Sequence, residues 1–218
     1  MSGKKYDKNV VIKKNCVECG NCISSCPSSA IAFKMDSFGS RYATVSTEGC
    51  IGCGICESVC PLNSKAGNTP IMTYAMTSLQ EGTENSSSGG VFFEIAKIVL
   101  ANNGVVYGAA YTSDLRVHHI SIHKKNDIWK LQGSKYVKSD ITNIVDEVYK
   151  DLLGGKDVLF SGTPCQVQAI KSFLLKKKYT GQLFTIDLVC HGTSSEQLFR
   201  DYLTSEESKR VQEVVNCY

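Results

Sequence analysis

Eight of the eleven cysteines in this chain fall into two copies of one spacing. The first copy, CVECGNCISSCP, holds Cys16, Cys19, Cys22 and Cys26; the second, CIGCGICESVCP, holds Cys50, Cys53, Cys56 and Cys60. Three thiols at steps of three can wrap a loop around one face of a compact iron–sulfide core. A fourth, carried off on a short following helix, points elsewhere. Gly20 and Gly54 occupy equivalent places in the two copies, where the backbone must approach sulfur closely and turn sharply. Pro27 and Pro61 then divert the chain. Structural zinc prefers separated C-x-x-C pairs with a long spacer, and a disulfide framework suits a secreted chain. Neither accounts for the repeat as well as clusters do.

In bacterial two-cluster ferredoxins, which have this spacing, the fourth cysteine ligates the other cluster. Applied here, that rule assigns Cys16, Cys19, Cys22 and Cys60 to one 4Fe–4S cluster, and Cys50, Cys53, Cys56 and Cys26 to a second. Between the sets, AIAFKMDSFGSRYATV alternates apolar and polar residues around Asp36–Gly39 and predicts a small hairpin.

The rest of the composition sets bounds on these sites. At 218 residues, 42% hydrophobic and 21% charged, the chain is long enough for one large or two small globular domains. Its formal charge is +3, which two oxidised clusters of about −2 each would bring to about −1. That is no argument for a nucleic-acid partner. The N-terminal stretch has no apolar run of the signal-peptide kind. The most apolar window, Val91–Ala101, is broken by Glu94 and Lys97 and is too short to span a bilayer. Many cysteines without a secretion signal indicate a reducing, cytoplasmic compartment.

Beyond Pro61 a polar linker, LNSKAGNTP, marks a domain boundary, and IMTYAMTS reads as a strand. Ser86, Ser87, Ser88, Gly89 and Gly90 then open an apolar helix that leads to a Gly-flanked strand. Such a loop offers amides, hydroxyls and a positive dipole end to an anion, or is simply a helix cap with a flexible lead-in. A second polar loop carries Gly133, Ser134 and Lys135. Asp140 is placed to cap a helix whose apolar stripe is Ile141, Ile144, Val145, Val148 and Leu152. Val158–Phe160 reads as a buried strand followed by a helix with Thr163 as cap, Pro164 at its first position and Lys176–Lys178 in its last turns. QLFTIDLV reads as another buried strand, ending at Cys190, with a capping box from Ser194 to Gln197 after it. In a parallel sheet the carboxyl ends of strands share one ligand-binding edge. Cys165, in the first helical turn, and Cys190 therefore share a rim, as ligands, as a redox pair or as buried spectators.

The ordered set SSSGGVF (86–92), GVVYGAAY (104–111), GSKYVKS (133–139), LFSGTPCQ (159–166) and DLVCHG (187–192) resembles the β-subunits of coenzyme F420-reducing hydrogenases and formate dehydrogenases. It also resembles their bacterial relatives with an N-terminal two-cluster ferredoxin. The resemblance implies an α+β ferredoxin-like dicluster domain over 1–68, followed by an α/β flavoprotein-type domain in two parts, 69–155 and an incomplete 156–218. It implies FAD held by Ser87, Ser88, Gly89 and Gly90 with Gly133, Ser134 and Lys135. It also makes Cys165 and Cys190 two of four ligands to a third 4Fe–4S cluster. In that family a later C-x-x-C pair supplies the other two, so the chain is expected to be C-terminally truncated, with only Cys217 left over. The function implied is an oxidoreductase joining an FAD-linked two-electron partner to 4Fe–4S clusters, served by a redox protein or small electron carrier. The alternative is a relay subunit that wires a partner enzyme without catalysis of its own.

Overall fold

The computed structural model describes residues 15–63 and 72–205. In the cysteine-rich part, two one-turn helices, α1 (Asn21–Ser24) and α2 (Ile55–Ser58), each follow a left-handed glycine, Gly20 (φ 77°) or Gly54 (φ 72°). Each turn also has a second left-handed residue two positions earlier, Glu18 (φ 58°) in the first copy and Gly52 (φ 70°) in the second. The sequence repeat is thus a backbone repeat. Between the copies, β1 (Ile31–Met35) and β2 (Arg41–Val45) pair antiparallel, with Phe33 opposite Ala43. The Asp36 carboxylate accepts from the Phe38 and Ser40 amides, both at 2.9 Å, and closes the hairpin turn.

The second part is a mixed four-stranded sheet in the order β4-β3-β5-β6. Its strands are β3 (Val105–Tyr111), β4 (Val117–Ile122), β5 (Val158–Gly162) and β6 (Leu183–Asp187). β3, β5 and β6 run parallel, and β4 is an antiparallel edge. Alternation along the strands sorts the core into two layers. Val105, Tyr107, Val158 and Phe160 meet α4 (Ile144–Leu153) and α5 (Pro164–Leu174) on one face. Val106, Ala110 and Leu159 meet α3 (Val91–Ala101) on the other. Burying one such Leu or Phe side chain contributes about 1.5–3 kcal/mol. A last helix, α6 (Glu196–Thr204), lies beyond the sheet.

Several local expectations are corrected. Residues 72–79 form no strand; they run beside the Ser/Gly loop, with the Ser78 amide donating to the Gly89 carbonyl at 2.7 Å. Asp140 does not cap α4, which starts at Ile144 after a left-handed Asn143. Its carboxylate takes the Thr142 amide at 2.8 Å and an arginine from the other module instead. The predicted stripe, Ile141 to Leu152, is buried as expected. α5 ends at Leu174, so the lysine run lies just past the helix, where Lys177 stacks over Phe173 and Tyr149. β6 is a half-exposed edge strand, with Phe184 41% exposed, because nothing described pairs with its outer side. The cap of α6 is Ser195, one residue later than predicted, and its hydroxyl accepts from the Leu198 amide. Most of the polar linker, and Cys217, lie outside the described residues. No described helix is long and apolar enough to cross a membrane.

Candidate metal centre

The eight thiols of the repeat line two cavities. One, of about 520 Å³ counting its open side, is bordered by Cys16, Cys19, Cys22 and Cys60, with Cys56 also reaching it. The other, of about 330 Å³, is bordered by Cys26, Cys50, Cys53 and Cys56. The one-turn helices create this exchange: each carries the last cysteine of its own copy away from its three partners and towards the other copy. Among the described residues no three His, Cys, Asp or Glu converge on a single ion. The thiols border open spaces of the kind a polynuclear cluster fills.

The electrostatics fit a cationic core. Burial pushes the Cys19 thiol up to about 11, helped by the neighbouring Cys60 and Cys16. Burial likewise pushes Cys22 up to about 12, with Cys19, Cys16, Cys60 and Cys56 adding to it. Cys56 and Cys60 are raised for the same first reason, burial. Packed thiols of this kind repel one another as thiolates, and a bound metal–sulfide core removes that penalty by supplying the missing positive charge. Cys26 differs. Burial works against its ionisation, but the Ala30 amide at 3.3 Å and the Ser28 hydroxyl at 3.6 Å hold it below its usual value. Cys50 and Cys53 are exposed, whereas Cys19 is buried.

Cys165 and Cys190 follow the carboxyl ends of the adjacent parallel strands β5 and β6. Cys165 Sγ lies 3.2 Å from the Thr163 hydroxyl, and Cys190 Sγ accepts from the Gly192 amide at 3.4 Å. The two Ser/Gly loops meet: the Ser134 amide donates to Ser87 Oγ at 2.7 Å. Ser87, Ser88, Gly133 and Ser134 are exposed, while Gly90 is buried as the left-handed start of α3 and Gly89 is half-buried against the Met76 carbonyl. The Lys135 ammonium turns inward, donating to the Gln132 and Gly133 carbonyls at 2.5 and 3.1 Å, and burial lowers it to about 8.

Other important residues carried no motif in the sequence. Asn21, fully buried, donates to the Val59 carbonyl at 3.1 Å and to the Ala169 carbonyl of α5 at 2.8 Å. Glu18 pairs with Lys138 at 2.9 Å and Arg41 at 3.4 Å, and Arg41 pairs with Asp140 at 2.9 Å. Val17 and Cys19 pack into the core formed by α4 and α5. Only their departure from the repeat distinguishes two of these residues: Glu18 stands where the second copy has Gly52, and Asn21 where it has Ile55.

Comparison with known proteins gives two family-model matches along the chain. Residues 9–65 match the family model of the 4Fe-4S dicluster domain. Residues 155–217 match the family model for the C-terminal part of the coenzyme F420 hydrogenase/dehydrogenase beta subunit. Among solved structures, a xenon-derivatised F420-reducing NiFe hydrogenase complex from Methanosarcina barkeri is similar, with 19% identity and a TM-score of 0.51. The likeness covers 59% of this chain and 46% of that one, so it spans under half of the relative and speaks to the fold alone. No curated protein matches. The chain is therefore similar to coenzyme F420 hydrogenase/dehydrogenase beta subunits over residues 155–217 and to 4Fe–4S dicluster domains over residues 9–65.

Proposed function

We propose that this chain is an iron–sulfur electron-transfer protein of the oxidoreductase type. Cys16, Cys19, Cys22 and Cys60 hold one 4Fe–4S cluster, and Cys26, Cys50, Cys53 and Cys56 hold the other. The single observation that carries this reading is that the eight thiols line two cavities, Cys60 joining Cys16, Cys19 and Cys22 at one, which Cys56 also borders, and Cys26 joining Cys50, Cys53 and Cys56 at the other. When bound, such clusters take up and release single electrons. The protein's own part is to bury Cys19 and half-bury the rest of the first thiol set, to supply amide donors to sulfur as Ala30 does for Cys26, and to limit water.

The finer reading adds FAD, a two-electron carrier, to the α/β module. It is supported by the meeting of the Ser87 and Ser134 loops, whose exposed hydroxyls and amides suit a phosphate. Cys165 and Cys190 on the nearby rim would supply half of a third cluster. The relay reading, without flavin, is favoured by Lys135, whose ammonium is occupied by carbonyls rather than free for a phosphate. The similar structure is that of a hydrogenase complex, which supports a redox partner protein in either reading.

Iron, acid-labile sulfide and flavin counts on anaerobically reconstituted protein test this, together with visible and EPR spectra. About eight irons are expected, and about one flavin if the finer reading holds. Zinc without sulfide would sink the cluster assignment; eight irons without flavin would select the relay.

A further inference from the structure

The two copies of the cysteine repeat are not equivalent in their surroundings. In the first, Cys19 is buried within the core of the α/β module and Asn21 is fully buried. In the second, Cys50 and Cys53 are exposed, and Ile55, at the place of Asn21, is 38% exposed beside Ile51 at 68%. The repeat is symmetric in spacing, so the difference comes from what docks against it.

We propose that Asn21 is the positioning residue that seats the first thiol set on α5. That makes Cys16, Cys19, Cys22 and Cys60 the inner set and Cys26, Cys50, Cys53 and Cys56 the outward-facing one. The assignment of thiols to sets rests on the proposed function. Both hydrogens of the Asn21 amide are used, one on Val59 next to Cys60 and one on Ala169 in the middle of α5. One side chain therefore ties the helix of the first copy to the end of α2 in the second and to the α/β module. Because both partners are carbonyls, the amide has one allowed orientation: turned over, its oxygen would face two acceptors. Its own oxygen, buried and without a partner among the described groups, is the cost of that orientation. Glu18 reinforces the seat from the rim through Lys138 and Arg41. Both residues replace one that could not do this, since neither Gly52 nor Ile55 can reach a carbonyl or a cation. The departures from the repeat thus decide which copy faces inward.

The test is iron release from the reconstituted full chain to a ferrous chelator under mild oxidation, with freed thiols alkylated and mapped by mass spectrometry. An initial count near eight irons checks the thiol assignment independently; a count near four overturns that assignment before release is measured. Release in two phases is expected, with Cys26, Cys50, Cys53 and Cys56 labelled first and the other four in the slow phase. Asn21→Asp, which sets a carboxylate against two carbonyls, accelerates the slow phase about tenfold or more, as expected when buried hydrogen bonds are left unmade, and leaves the fast phase unchanged. Glu18→Gln, on the rim, gives a smaller shift in the same phase and serves where Asn21→Asp does not fold. A single phase, the reverse labelling order, or a slow phase indifferent to both variants would overturn the proposal.

Discussion

His119 illustrates how much one buried side chain can determine. Its Nε2 donates to the Ser161 carbonyl at 2.9 Å, its ring stacks on Phe160 with centroids 4.9 Å apart, and its Nδ1 has no partner. Burial holds its pKa down to about 4. Between the ordinary value of about 6.5 and about 4, the unfolded chain binds a proton there and the folded one does not, so acidification destabilises the fold. Local stability around β4 and β5 should therefore fall by about 2 kcal/mol between pH 7 and pH 5. Hydrogen exchange of those amides, corrected for intrinsic rate, would show it, and His119→Gln should flatten the dependence. The sequence offered no reason to single out this histidine. Its burial comes from β4 folding beside β3, which brings it over Ser161, 42 positions away.

At the scale of elements, the parts controlled by local chemistry were legible and those controlled by neighbours were not. The strand–Thr163–Pro164 helix start was readable because turn, cap and first-turn proline are local. Gln166 reaches back to the Thr163 amide at 3.0 Å, while its own amide nitrogen donates to Ser139 Oγ at 2.8 Å. Gln166→Leu, similar in size, leaves both ends unmade and is expected to cost about 1–3 kcal/mol, measurable as a lowered thermal midpoint. It should also make Cys165, one residue earlier, react faster with an alkylating reagent. β6 shows the opposite case. Its apolar run reads as a buried strand, but an edge position leaves one side of it open. Position in a sheet is not written in the strand. The 72–79 segment, apolar enough for a strand, pairs with no described strand; its Ser78 amide bonds the Gly89 carbonyl of a loop instead.

For the whole molecule, the joint between modules is the main finding. Arg41, on the hairpin, reaches Asp140, and Glu18, on the first cysteine loop, reaches Lys138. Partial burial disfavours the Asp140 carboxylate, yet Arg41 and the Thr142 amide hold it below its usual range. A carboxylate lowered in this way stabilises the folded chain above its ordinary value of about 3.9 and loses that contribution as pH falls through the lowered one. The joint should therefore be intact at neutral pH and loosen only in strong acid. Arg41→Ala leaves two half-buried carboxylates without this partner, and protection of 16–24 and 133–140 from hydrogen exchange should fall together. A fall in one segment alone would mean that the modules are not coupled through this network. The hairpin tip gives a further contact, Ser195 Oγ donating to the Phe38 carbonyl at 2.8 Å.

By itself the sequence determined the cysteine repeat, the turns at Gly20 and Gly54, the hairpin between the copies and the βα units that follow. All of these depend on residues within a few positions of one another, where spacing and backbone preference suffice. Tertiary structure alone decided which copy turns inward, because Asn21 finds its second acceptor 148 positions away. It also decided the partner of Asp140 and the burial of His119. Those outcomes depend on which surfaces meet when two modules pack, and a contact between distant segments leaves no periodic mark in the chain.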